Sequence, residues 1–262
     1  MKRIILWSTL LFLINLSVVQ ASAEEEKGLA IAQEIDHRNQ GYGDTFAHQT
    51  MILMDENGGE NIREMDIKML EVTTPNEGDK SLVTFSKPRD VQGTVLLTYA
   101  HVTVPDEQWL FLPALKRTKR ISSSNKTGAF MGSEFAYEDM IPKDIDKYNY
   151  RFIREEACEQ LTCFVVESQP KYEDSGYQRL LVWIDKTEYR MQKVEFYDHT
   201  NQLQKVLKLS GYQQYLGKYW RPDELFMTNY QNKKSTRMKF KGYQFRNGFH
   251  EQDFAQTNLQ RE

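Results

Sequence analysis

Five histidines, two cysteines and a few closely spaced carboxylates are the side chains of this 262-residue chain whose types could do chemistry. The histidines, His37, His48, His101, His199 and His250, are scattered, and no metalloprotease, nucleophile-elbow, phosphate-loop or dinucleotide-loop pattern occurs. A lone histidine is usually a surface or hydrogen-bonded residue, so none is assigned to catalysis. Glu134 and Glu138 stand four residues apart, the spacing at which a helix would set two carboxylates side by side for acid–base work. The same spacing suits a solvated face, or caps and arginine partners for a loop, and that reading is favoured. With Asp139 they are the best acids an enzyme could use here, and the expectation is that the chain is not an enzyme.

Cys158 and Cys163 are the only cysteines, with a four-residue spacer that can close a disulfide across a tight hairpin. Two thiolates are too few ligands for zinc, the spacing is not C-x-x-C, and no histidine neighbours them. A structural staple is therefore expected, and neither a metal site nor a cofactor site.

The basic run Lys116-Arg117-Thr118-Lys119-Arg120 would split between the two faces of a strand, in a chain with 34 basic against 37 acidic side chains. Nucleic acid is a poor partner for that pattern. Phosphate or lipid headgroups stay open, since Trp109-Leu110-Phe111-Leu112-Pro113 and Ile121 flank the run. Ordinary strand charges with carboxylate partners are the favoured reading.

The elements that must hold these residues are nearly all strands. A positive start at Lys2 and Arg3, an apolar stretch from Ile4 to Val19 and Ala21-Ser22-Ala23 read as a cleaved secretory leader over 1–23, followed at once by Glu24-Glu25-Glu26. The remainder, 24–262, is expected to be one domain exported to a periplasm. Leu29, Ile31, Ala32 and Ile35 predict a helix over Glu24–Asn39, ending before Gly41-Tyr42-Gly43. Thirteen strands are then expected: Phe46–Met54, Arg63–Leu70, Ser81–Ser86, Val95–Ala100, Gln108–Leu112, Arg117–Ile121, Tyr148–Glu155, Cys163–Ser168, Arg179–Asp185, Met191–Tyr197, Gln204–Tyr212, Glu224–Tyr230 and Ser235–Tyr243. Asn57-Gly58-Gly59 marks the first hairpin. So many hairpin-spaced strands with so little helix imply one large antiparallel sheet, which must curl, split or close to cover its apolar face. Ser122–Lys147 breaks the rhythm, and its second half reads as a short helical or irregular insert carrying apolar side chains.

Several stretches resemble a known family. Lys87-Pro88-x-Asp90-Val91-x-Gly93-Thr94, Gln108-Trp109-Leu110-Phe111-Leu112-Pro113-Ala114-Leu115-Lys116-Arg117, Arg120-Ile121 and above all Phe130-Met131-Gly132-Ser133-x-Phe135-x-Tyr137-Glu138-Asp139 are similar to the outer-membrane lipoprotein-sorting family, the LolA-like periplasmic carriers. Trp183-Ile184-Asp185-Lys186, Val194-Glu195-Phe196-Tyr197-Asp198, Gly217-Lys218-Tyr219-Trp220-Arg221-Pro222 and a closing Phe254 agree. The resemblance implies a mainly β fold, an unclosed (half) barrel around helical lid segments. It implies an apolar interior that takes lipid or the acyl chains of lipoproteins between inner and outer membrane, without catalysis or cofactor. It also implies work beside an inner-membrane transporter, the alternative being an accessory periplasmic subunit of a resistance-nodulation-division type transporter that does not carry cargo freely. On this basis Phe130, Met131, Phe135, Tyr137 and Met140 are expected to form a mobile lid, with Trp109, Phe111 and Leu112 in the cavity wall.

Overall fold

The computed structural model describes residues 5–259, with side chains from residue 22 onward. The side chains of the expected leader up to residue 21 lie outside the described residues. No helix among the described residues is long and apolar enough to cross a membrane. Helix α1 (Ile5–Asn39) ends where the sequence predicts, before Gly41 and Gly43, whose φ values of +84° and +75° suit glycine.

All thirteen expected strands form. They are β1 (Asp44–Met54), β2 (Glu60–Leu70), β3 (Glu77–Lys87), β4 (Val95–His101), β5 (Glu107–Leu112), β6 (Arg117–Ile121), β7 (Tyr148–Cys158), β8 (Leu161–Pro170), β9 (Arg179–Asp185), β10 (Met191–Tyr197) and β11 (Leu203–Ser210). After a two-stranded ladder, β12 (Gln213–Tyr215) with β13 (Tyr219–Arg221), come β14 (Glu224–Asn229) and β15 (Ser235–Phe245). The small ladder was not expected, because its strands are three residues each and sit among turn formers. The large sheet is antiparallel throughout, in the order β6-β5-β4-β3-β2-β1-β15-β14-β11-β10-β9-β8-β7. Its end strands β6 and β7 do not pair, so the curled sheet stays unclosed along one seam.

Alternation along the strands divides the side chains between two faces. The inner face collects one large apolar cluster, including Met51, Met65, Phe85, Leu96, Leu110, Val166, Leu180, Val182, Met227 and Met238. On the outer face of β2–β5, Leu70, Leu82, Val95, Leu97, Trp109 and Phe111 form a second cluster, closed by Phe254 and Leu259 of the C-terminal segment. Asp44 ties that segment down by accepting from the Asn247 side chain and from the backbone N–H of Asn247, Gly248 and Phe249. Burial alone would raise the Asp44 pKa, but these donors outweigh it and hold the carboxyl below its ordinary value. A third, smaller outer cluster surrounds the Cys158–Cys163 disulfide with Val165 and Trp183. The expected staple is therefore present, across the β7–β8 hairpin.

Helix α1 covers the edge strand β7. The contact is close because position 28 is glycine: a Cβ there would lie 2.7 Å from the Phe152 backbone nitrogen. Ile31 and Ile35 of the helix join the inner cluster.

Candidate functional site

The segment 122–147 crosses the concave side of the sheet. It is not a helix but a chain of single 3-10 turns at Ser123–Asn125, Phe130–Gly132, Glu138–Met140 and Ile145–Lys147. Met131 and Gly132 both take left-handed backbone, with φ of +49° and +76°. This reverses the chain so that the Phe130 N–H donates to the Phe135 carbonyl at 2.7 Å and Ala129 bridges Ala136. Phe130 and Phe135 are thereby driven together into the inner cluster, 0% and 3% exposed. The Phe130 ring meets those of Phe85 and Tyr137 at centroid distances of 5.8 and 5.7 Å. Met131, Tyr137 and Met140 pack on the same cluster but stay half-buried.

Polar ties hold this insert. Arg63 donates to the Met131 carbonyl, and the Glu134 N–H donates to Thr236 Oγ1 at 2.9 Å. The Glu134 carboxylate accepts from the Asn229 and Asn232 side chains at 2.7 and 2.9 Å. Glu138 accepts from the Tyr172 hydroxyl at 2.7 Å, the Ser175 hydroxyl at 2.5 Å and the Gly176 N–H at 2.9 Å. Lys205, an inward-facing lysine of β11, pairs with Asp139 at 2.6 Å and donates to the Glu134 carbonyl at 3.0 Å. Burial pushes the Glu138 pKa up, partly offset by its three donors, and burial raises the Tyr177 phenol that donates to Asp139. Each of these carboxylates is consumed by holding the insert in place.

Glu134 and Glu138 share no helix face, and of the favoured reading the structure shows the loop cap rather than the solvated face for Glu138, which is 8% exposed and accepts from Tyr172, Ser175 and Gly176. The expected wall residues also separate. Leu112 faces inward with Leu110, whereas Trp109 and Phe111 lie on the opposite face, under Phe254 and Leu259. The insert residues Phe130, Met131, Phe135, Tyr137 and Met140 do come together with Leu112 on the inner cluster. Among the described residues no group of three or more histidine, cysteine or acidic side chains could hold a metal ion. His48 sits exposed beside Asp66 at 2.6 Å, and His199 bonds the Ser175 carbonyl at 2.9 Å.

Two cavities open beside the insert. One, of about 300 Å³, lies between the end of α1, the β2–β3 turn and 142–146. The other, of about 320 Å³, lies in the seam, where 102–106, 123–126 and 141–147 meet Lys171, Tyr172 and Asp174. Further apolar side chains of the inner face, among them Ile35, Ile67, Tyr189, Met191, Leu207, Leu225 and Phe240, pack on the cluster without being fully buried. Their exposure needed the fold to be seen. Lys205 left a trace in the sequence, since it alternates with Leu207 and Leu209 on one strand face.

Known proteins share this architecture. The family described as "Uncharacterized protein" matches residues 77–261. A crystal structure from Vibrio parahaemolyticus, described as an outer membrane lipoprotein-sorting protein domain, is 47% identical, with 90% of this chain and 99% of that one covered and a TM-score of 0.88. The chain belongs to the outer-membrane lipoprotein-sorting family. Two more distant structures share the fold of this family member. A DUF1329 family protein from Desulfovibrio piger is 24% identical, covering 90% of this chain and 99% of that one with a TM-score of 0.85. A LolA superfamily protein from Nitrosomonas europaea is 18% identical, covering 87% and 97% with a TM-score of 0.69. No curated protein sequence matches this family member. The half-barrel expected from the sequence is thus the fold of the family.

Proposed function

We propose that this lipoprotein-sorting family member is a periplasmic carrier that shelters lipid or the acyl chains of lipoproteins in its apolar interior and moves them between inner and outer membrane. The observation that supports this reading most directly is the half-buried apolar inner face. Ile35, Ile67, Met191, Leu207, Leu225 and Phe240 point inward from helix and sheet yet keep accessible surface. A filled core would bury them, whereas an acyl chain laid against them gains about 0.8 kcal/mol per CH₂. Flexible Met131 and Met140 beside the Tyr137 ring suit an occupant of variable shape. Phe130 and Phe135, with the ties around them, anchor the insert, and Leu112, Met131, Tyr137 and Met140 touch the cargo. An inner-membrane transporter is the partner that hands cargo over.

The test is native mass spectrometry with solvent extraction on protein purified from periplasm without detergent. A bound mass that extracts as acylated lipid or lipopeptide is expected. An unliganded mass that persists after incubation with envelope lipids overturns the carrier reading. In a second arm, Phe130→Ala with Phe135→Ala, checked for folding, is expected to lower lipid retention.

A further inference from the structure

The seam cavity contains a cation whose environment the carrier reading does not explain. Lys126 is 7% exposed. Its ammonium donates to the Asp106 backbone carbonyl at 2.8 Å, and no carboxylate pairs with it among the described residues. An ammonium carries three donors, so a single carbonyl leaves this buried charge short of acceptors. The carboxylates nearby are taken or outside. Asp106 is bound by Lys147 and by the His101 N–H. Glu138 receives its three donors from Tyr172, Ser175 and Gly176. Asp146 and Asp174 are exposed at the rim.

Two more lysines line the same cavity. Lys147 is largely buried in its pair with Asp106, and Lys171 donates to the Asp146 carbonyl at 3.0 Å. The lining of this space of about 320 Å³ also holds the carboxylates of Asp106, Glu138, Asp146 and Asp174. Lys147 answers Asp106 and Glu138 has its own donors, which leaves the buried Lys126 ammonium as the group short of an acceptor and suited to an anion with several oxygens. The cavity borders the apolar interior at one point: Tyr172, in its lining, bonds the Tyr148 hydroxyl at 3.0 Å, and the Tyr148 ring packs on the inner cluster. A polar group held at the seam would therefore bring an attached chain to the edge of that cluster.

We propose that the seam cavity, with Lys126 at its base and Lys147 and Lys171 beside it, seats a phosphoryl group, carried by an amphiphile whose acyl chains lie in the interior. This deepens the carrier reading and rests on it. It makes the seam a headgroup reader, separating phosphorylated lipids from uncharged acyl glycerides of equal chain length.

The experiment compares binding of dioleoyl phosphatidic acid, dioleoylglycerol and inorganic phosphate to the full chain. The wild type is expected to prefer the phosphatidic acid by about tenfold, with inorganic phosphate competing for that preference alone. Lys126→Met is expected to reduce the preference to near unity while dioleoylglycerol binding persists. Lys171→Ala, an exposed position, supplies a variant that keeps the fold if the buried substitution does not, and is expected to reduce the preference about two- to threefold. Equal affinity for the two lipids in the wild type, or a preference unchanged in both variants, overturns the phosphoryl seat and leaves the carrier reading standing. If neither lipid binds but inorganic phosphate does, and Lys126→Met abolishes it, the seat stands as a site for soluble phosphate and the carrier reading falls.

Discussion

Lys205 and Asp139 form an ion pair at 2.6 Å with only 4% and 8% of their side chains exposed, joining the inner face of β11 to the crossing insert. Asp139 also accepts from the Ala136 N–H and the Tyr177 hydroxyl, so removing the lysine strands a buried carboxylate. Lys205→Met should cost about 3–5 kcal/mol in denaturant unfolding. Adding Asp139→Asn should return part of that loss, because the uncompensated charge disappears. A cost below about 1 kcal/mol would mean that the insert does not depend on this tie.

Glu138 gives the insert a pH dependence of definite sign. Its folded pKa is raised by burial above the ordinary 4.5, so the folded state binds the proton more tightly than the unfolded one. Its contribution is fully present below pH 4.5 and is lost as pH rises toward the folded value. Glu138→Gln keeps hydrogen-bonding capacity without the charge, since the Tyr172 and Ser175 hydroxyls can turn to accept. Thermal unfolding should show the wild type losing stability relative to this variant above pH 4.5. A gap that stays constant up to about pH 7.5 would argue against it.

The C-terminal segment should behave oppositely toward acid. The depressed pKa of Asp44 gives stability that is present above 3.8 and lost as pH falls through the folded value. The advantage of wild type over Asp44→Asn should shrink in acid for that reason. Phe254→Ala removes a ring that is 0% exposed and should cost about 3–5 kcal/mol. It should also red-shift tryptophan emission, because Trp109 lies beneath that ring in the same cluster.

Gly28→Ala tests how α1 covers β7. The added methyl meets backbone atoms of Arg151 and Phe152 at 2.7–2.8 Å, which no side-chain rotation relieves. A loss of about 1–3 kcal/mol is expected, with faster amide exchange in β7. Unchanged exchange would show that the helix contact is looser than this spacing implies.

Cys158→Ser with Cys163→Ser opens a short loop, for which closure entropy gives a loss of about 2 kcal/mol. Thiol titration of the oxidised wild type should count no free thiol.

The strands were legible in the sequence because each depends on local alternation and local turn chemistry. Met65, Ile67 and Met69 against Glu64, Asp66 and Lys68, preceded by the Asn57–Gly59 turn, state a hairpin without outside help. The disulfide followed in the same way from two cysteines flanking one turn, and the family's motif around Phe130–Asp139 marked the insert. Face assignment was a different matter. Gln108–Leu112 is apolar on both sides, and a strand buried on both faces carries no sign of which one is inner; the wrapping of the C-terminal segment over Trp109 and Phe111 decided it. Nor could spacing show that Glu138 meets Tyr172 and Ser175, or that Asp139 meets Lys205, since these contacts join residues 34 or more positions apart through the curl of the sheet. The seam cavity is of the same kind: Lys126, Lys147 and Lys171 face one space because the sheet stops short of closing, a property of the whole curvature that no local window of sequence contains.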